Sequence, residues 1–110
     1  MLSWLRKVFD GMSDFHENII GGLLRASTEL CDQARCMEAL EPAQRAVEVG
    51  KKHLSQDHPA RLMAECSLAY VHNQLGHYRI AQELYEHTVP LLEGQVGKAH
   101  PVVLTMVNNL

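Results

Sequence analysis

The sequence predicts an all-α chain, a stack of antiparallel helical hairpins, on three observations. First, the dipeptide His58-Pro59 returns 42 residues later as His100-Pro101, and the residues around it match in the same register. Leu62 then corresponds to Leu104 and Leu68 to Leu110, while Ala81 corresponds to Ala39, Glu83 to Glu41 and Val89 to Val47. A period of about 20 to 50 residues signals stacked units, each too small to bury its own apolar face. Second, each unit reads as two helices parted by a turn. Third, only 5% of residues are aromatic, which suits small-residue helix packing better than a β-sandwich. The period divides the chain into about two and a half repeats. They are a degenerate hairpin over 13–57, a well-formed one over 58–99 and the first helix of an incomplete repeat over 100–110, preceded by a short amphipathic cap helix over residues 1–12.

Taken in order, Leu2, Leu5, Phe9 and Met12 form one apolar stripe with Trp4 and Val8 beside it, a short helix that caps the first hairpin. Trp4 with Arg6 and Lys7 also suits a membrane surface or a partner, against which Asp10 and the short length count. Gly11, Ser13 and Asp14 then read as a turn and N-cap. A helix follows from about Phe15 to Gln33, carrying Ile19, Ile20, Leu23, Leu24, Ala26 and Leu30. Gly21 and Gly22 inside it cost about 1 kcal/mol each relative to Ala if exposed, or else permit close approach of a neighbouring helix. In the 42-residue frame Ala34 falls under Gly76. The next helix, Cys36 to Lys52, buries Ala39, Leu40, Ala43, Ala46 and Val47, with Leu54 beyond its end. Pro42 removes one of its ladder bonds and bends it, and Lys51 and Lys52 complement its carbonyl end.

In the second hairpin Pro59 suits the first turn of a helix, with Asp57 and His58 at the cap. Leu62, Cys66, Ala69 and Asn73 follow at helical spacing, and Leu68, Val71 and Leu75 widen the apolar side. Gly76 stops this helix in the left-handed region. The partner helix starts at about Tyr78 and turns Ile80, Ala81, Leu84, Tyr85, Thr88, Val89 and Leu92 inward, with a kink at Pro90 and an exit at Gly94 and Gly97. The last segment places Val103, Leu104, Val107 and Leu110 on one stripe with no second helix to cover it. Each such side chain gains roughly 1.5–3 kcal/mol on full burial. The expectation is a fragment of a longer array, or an end that self-associates with another copy.

The stretch LAYVHNQLGHYRIAQELYEH resembles the tetratricopeptide repeat, with Leu68, Ala69, Gly76, Tyr78, Ala81 and Tyr85 in the family's places. The long period, SQDHP, GKAHP and VNNL are similar to the 42-residue branch of kinesin light chains, fungal NB-ARC receptor tails and bacterial multi-repeat proteins. The resemblance is specific over about residues 35 to 110, with Ser55, Ala99 and His72 departing from the branch's usual Gly, Asp and Tyr. It implies a right-handed superhelical stack whose first helices line a concave groove. On that resemblance the groove shows Met63, Cys66, Ser67, Tyr70, Asn73 and Gln74, continued by Thr105, Asn108 and Asn109.

Bulk composition and motifs narrow the function. Hydrophobic residues at 46% and charged ones at 21% are ordinary for a globular chain and too apolar for disorder. A net charge of −3 leaves no basic footprint for nucleic acid. Three unclustered cysteines fit a reducing, cytoplasmic compartment and no disulfide framework. No run reaches the ~18 apolar residues of a membrane span, and Arg6 and Lys7 sit wrongly for a secretory signal. Seven histidines raise the question of a metal. His58 and His100 read as caps, His72 and His77 flank a turn, and the Cys31–Cys36 spacing is wrong for a zinc hook. Cys66 has no histidine at helical spacing, and Glu38 with Glu41 reads as a solvated pair. Neither a cofactor nor a catalytic residue is expected.

Binding remains. Asn73, Asn108 and Asn109 suit hydrogen bonds to a peptide backbone, and Tyr70 and Met63 suit holding a side chain. The family's chaperone-binding members grip a terminal carboxylate with cations, which uncharged Met63, Cys66 and Ser67 cannot do. The expected function is a non-catalytic scaffold for a protein or peptide partner. The alternative is a structural, oligomerising piece of a longer array with no ligand of its own.

Overall fold

The chain reverses where one residue enters the left-handed region at the end of a helix. The computed structural model describes residues 15–96, so the readings for 1–12 and 100–110 lie outside it. Within that span are α1 (Phe15–Asp32), α2 (Cys36–His53), α3 (Pro59–Gln74) and α4 (Tyr78–Val96). They pack in sequence as antiparallel hairpins, and α1 also touches α3.

Both hairpin turns are the same device. At the first, Ala34 has φ +61°, Arg35 N–H donates to Leu30 O at 2.7 Å, and Ala34 N–H donates to Cys31 O at 3.0 Å. At the second, Gly76 has φ +83°, His77 N–H donates to His72 O at 2.9 Å, and Gly76 N–H donates to Asn73 O at 3.1 Å. This paired bonding satisfies carbonyls that the helix end would otherwise leave bare. Gly76 takes the conformation freely, whereas Ala34 takes it against its Cβ.

The link between hairpins is built differently. α2 ends on Leu54 in extended conformation, its N–H bonded to Gly50 O at 2.9 Å. α3 begins with His58 as N-cap, whose Nδ1 accepts from Ala60 N–H at 3.1 Å, and Pro59 at the first position. That bond fixes the neutral ring's hydrogen on Nε2, which lies 2.7 Å from Glu17 Oε1 on α1. One histidine thus caps α3 and ties it to α1. Asp57, expected to share the cap, instead accepts from Ser55 Oγ at 3.1 Å.

Small residues let the helices approach. Ala39, Ala43, Ala46, Ala60, Ala64, Ala69 and Ala81 are all buried. Around them pack Ile20 with Val47, Val71 with Leu30 and Leu68, and Leu62 with Tyr85, Val89 and Leu92. Ser27, at full burial on α1, donates from Oγ to Ala39 O at 3.1 Å, and so joins the first hairpin by a polar bond inside its seam. Both α2 and α4 run unbroken through their prolines, Pro42 and Pro90.

Two expectations change here. Ile80, expected inward, is 45% exposed. It stands one position before Ala81, where the buried stripe of α4 begins, and so falls on the stripe's edge. Of the two alternatives read at Gly22, close approach does not hold, since a Cβ there would meet nothing within 4 Å. The tight contact is at Gly50, where a Cβ would lie 3.0 Å from Arg61 Cγ and 3.3 Å from Arg61 Cα.

Candidate surface for a binding partner

α3 is the central helix of the described residues and carries the expected groove. Its apolar residues run almost all round it, as in a helix with neighbours on several sides. Leu62, Ala64, Glu65, Ala69, Val71 and His72 are all withdrawn from solvent. Tyr70, at 41%, and Gln74 are its exposed positions, with Ser67 and Asn73 half-buried beside them. Positions 67, 70 and 74 lie at i, i+3 and i+7, one stripe along the helix.

Met63 and Cys66 do not share that stripe. Both were expected to show in the groove, and both are buried, at 6% and 7% exposure. Cys66 packs with Leu62, Ala69, Ala81 and Tyr85 in the α3–α4 seam. Burial and the neighbouring Glu65 push its thiol well above the ordinary range, so it stays protonated and inert. Thr105, Asn108 and Asn109 lie outside the described residues.

A polar arrangement inside the second hairpin was not legible from periodicity. Glu65 is buried, accepts from Thr88 Oγ1 at 3.3 Å, and lies 3.7 Å from Arg61 Nε and 4.0 Å from His87 Nε2. These partners come from both α3 and α4, so the carboxylate fixes how the two helices register. Its one sequence signal is a charged residue set among Ala64, Cys66 and Ala69.

The turn edge of the stack carries two further features. His72 Nδ1 and His77 Nδ1 stand 3.0 Å apart, and burial, then His77, holds the His72 ring below its usual pKa. Beside the first turn, Cys31, Ala34, Arg35, Cys36 and Met37 line an open depression of about 600 Å³, which Gln74 and Leu75 close from the α3 side. Arg35 bonds to Glu38 on its rim, which lowers the Glu38 carboxyl's pKa. Among the described residues no group of three or more His, Cys, Asp or Glu could hold a metal ion. Nor is any described helix long and apolar enough to cross a membrane.

Residues 26–60 match the family model described as tetratricopeptide repeat. That stretch runs from mid-α1 through the Ala34 turn and α2 to the start of α3, the hairpin read as degenerate. No curated protein matches the chain.

Proposed function

We propose that residues 26–60, which match the tetratricopeptide repeat model, form a repeat of the 42-residue branch, and that the chain is a scaffold that binds a peptide segment along α3. Such repeats are generally protein-interaction modules and typically non-catalytic. What supports the finer reading is the stripe: the two exposed positions of a largely buried helix, Tyr70 and Gln74, fall in one row with half-buried Ser67, and Asn73 stands beside it. The amides of Asn73 and Gln74 each offer a donor and an acceptor to an extended backbone, and Tyr70 offers a rigid ring to a side chain. No cation sits in the row, so a terminal carboxylate is not what it reads. Thr105, Asn108 and Asn109 extend the same surface in this reading.

The test is selection of a random peptide display library on the chain. Enriched peptides are expected to lose at least about tenfold in affinity, 1.4 kcal/mol, on Tyr70→Ala or Gln74→Ala, with helicity and Tm unchanged. Peptides that bind these variants as well as the parent would move the site elsewhere. Failure to select any peptide, with self-association lost when Val103 and Leu110 are made polar, would establish the oligomerising reading instead.

A further inference from the structure

The first turn brings together two thiols that the family match leaves unassigned. Cys31 sits in the last turn of α1 and Cys36 at the first position of α2, so the chain reversal at Ala34 sets them side by side. The two side chains interact across the turn, and Cys36 raises the cost of a charge on Cys31. Both are half-buried, and both line the open depression of about 600 Å³, which gives a small molecule access to either sulfur. Two thiols that line one open depression across a short turn have the placement from which thiol–disulfide exchange can proceed.

We propose that Cys31 and Cys36 form a reversible dithiol–disulfide site at the α1–α2 turn, oxidised by a low-molecular-weight disulfide such as oxidised glutathione. The order of attack follows from their surroundings. Burial, neighbouring Cys36 and nearby Asp32 push the Cys31 thiol up to about 12, so Cys31 keeps its proton while Cys36 reacts first. Cys36 loses its proton to solvent and attacks one sulfur of the oxidant. The glutathione S–S bond breaks, one glutathione thiolate leaves and takes up a proton, and the other glutathione stays on Cys36 as a mixed disulfide. Cys31 then attacks the Cys36 sulfur, forming the 31–36 bond. The second glutathione leaves as a thiolate and takes the Cys31 proton. Two protein thiols are oxidised and one glutathione disulfide is reduced to two thiols. The closed bond ties the end of α1 to the start of α2 beside Gln74, while Cys66, buried in the other hairpin, takes no part.

The experiment equilibrates the full chain in glutathione buffers from fully reduced to fully oxidised, blocks remaining thiols with iodoacetamide and maps peptides by mass. The expected product is a monomer two hydrogens lighter, its 31 and 36 peptides joined and its Cys66 alkylated only after unfolding. Excess reduced glutathione should return it to the dithiol. A Cys31→Ser chain should stop at one glutathione on Cys36. The proposal is overturned if both thiols remain fully alkylatable at the oxidised extreme. It is equally overturned if stable glutathione adducts persist on both, or if the cross-links involve Cys66 or a second chain.

Discussion

His72 shows how a single side chain carries a pH dependence into the stack. It is 8% exposed, and its Nδ1 shares one hydrogen with His77 Nδ1 across 3.0 Å, an arrangement that two charged rings could not keep. Its folded-state pKa therefore lies below the ordinary value of 6.5. Above pH 6.5 both folded and unfolded chains hold the ring neutral, and its contribution to stability is complete. As pH falls below that value the unfolded chain takes a proton that the folded chain resists, and stability drops until the folded pKa is passed. Tm should decline between pH 7 and 5, and less steeply in His72→Gln, which keeps a partner for His77. Equal slopes in the two chains would assign the decline to other groups. Periodicity had placed His72 and His77 at a turn but could not show burial, because hydropathy treats a histidine as polar wherever it stands. The same blindness hid Ser27 and Glu65, whose hydroxyl and carboxylate are satisfied inside apolar seams. The family resemblance put Met63 and Cys66 in the groove, but apolar residues run nearly all round α3 and both are buried.

At the scale of the element, the repeat frame was the most informative reading. It placed Ala34 under Gly76, and both occupy the left-handed position of the same turn with the same pair of hydrogen bonds. Helix ends came out within a residue or so for the same reason, since Gly76 and the Pro59 cap are signals of local conformation rather than of packing. The two turns make opposite predictions. A left-handed alanine carries roughly 1–2 kcal/mol of strain, partly offset by the flexibility that glycine adds to the unfolded chain. Ala34→Gly should therefore stabilise by about 0.5–1 kcal/mol, and Gly76→Ala should destabilise by about 1 kcal/mol, read from urea midpoints at constant slope. If Ala34→Gly proved destabilising, the Ala34 methyl would have to contribute packing that outweighs its backbone strain. What the frame could not give was the tight contact at Gly50, because Arg61 lies in the next hairpin and only the way α2 meets α3 brings them together.

For the whole molecule, the period announces that hairpins stack but leaves open how far each helix reaches. α1 touches α3 as well as α2, so one seam draws on three helices: Ile20 from α1, Ala46 and Val47 from α2, and Ala60 and Ala64 from α3. Ala64 tests whether that junction is close-packed. On area alone, a leucine there would gain roughly 1.5–3 kcal/mol from burying its side chain. Yet Ala64 is already fully withdrawn from solvent, and its methyl lies where helices from both hairpins converge. Extra carbons can enter only if the helices move apart, which costs typically 1–3 kcal/mol and also sacrifices the area gained. The expected result is that Ala64→Leu destabilises by about 1–3 kcal/mol, while Ala26→Leu on the exposed side of α1 stays within about 0.5 kcal/mol. Stacked repeats hold together through the interfaces between neighbours as much as through each unit. Because Ala64 lies in the seam that α1, α2 and α3 share, the loss should appear as one cooperative transition at lower urea with its slope preserved. Two separate transitions would mean that the hairpins are joined only by the chain between them, and that the small-residue seam is not what makes the stack a single body.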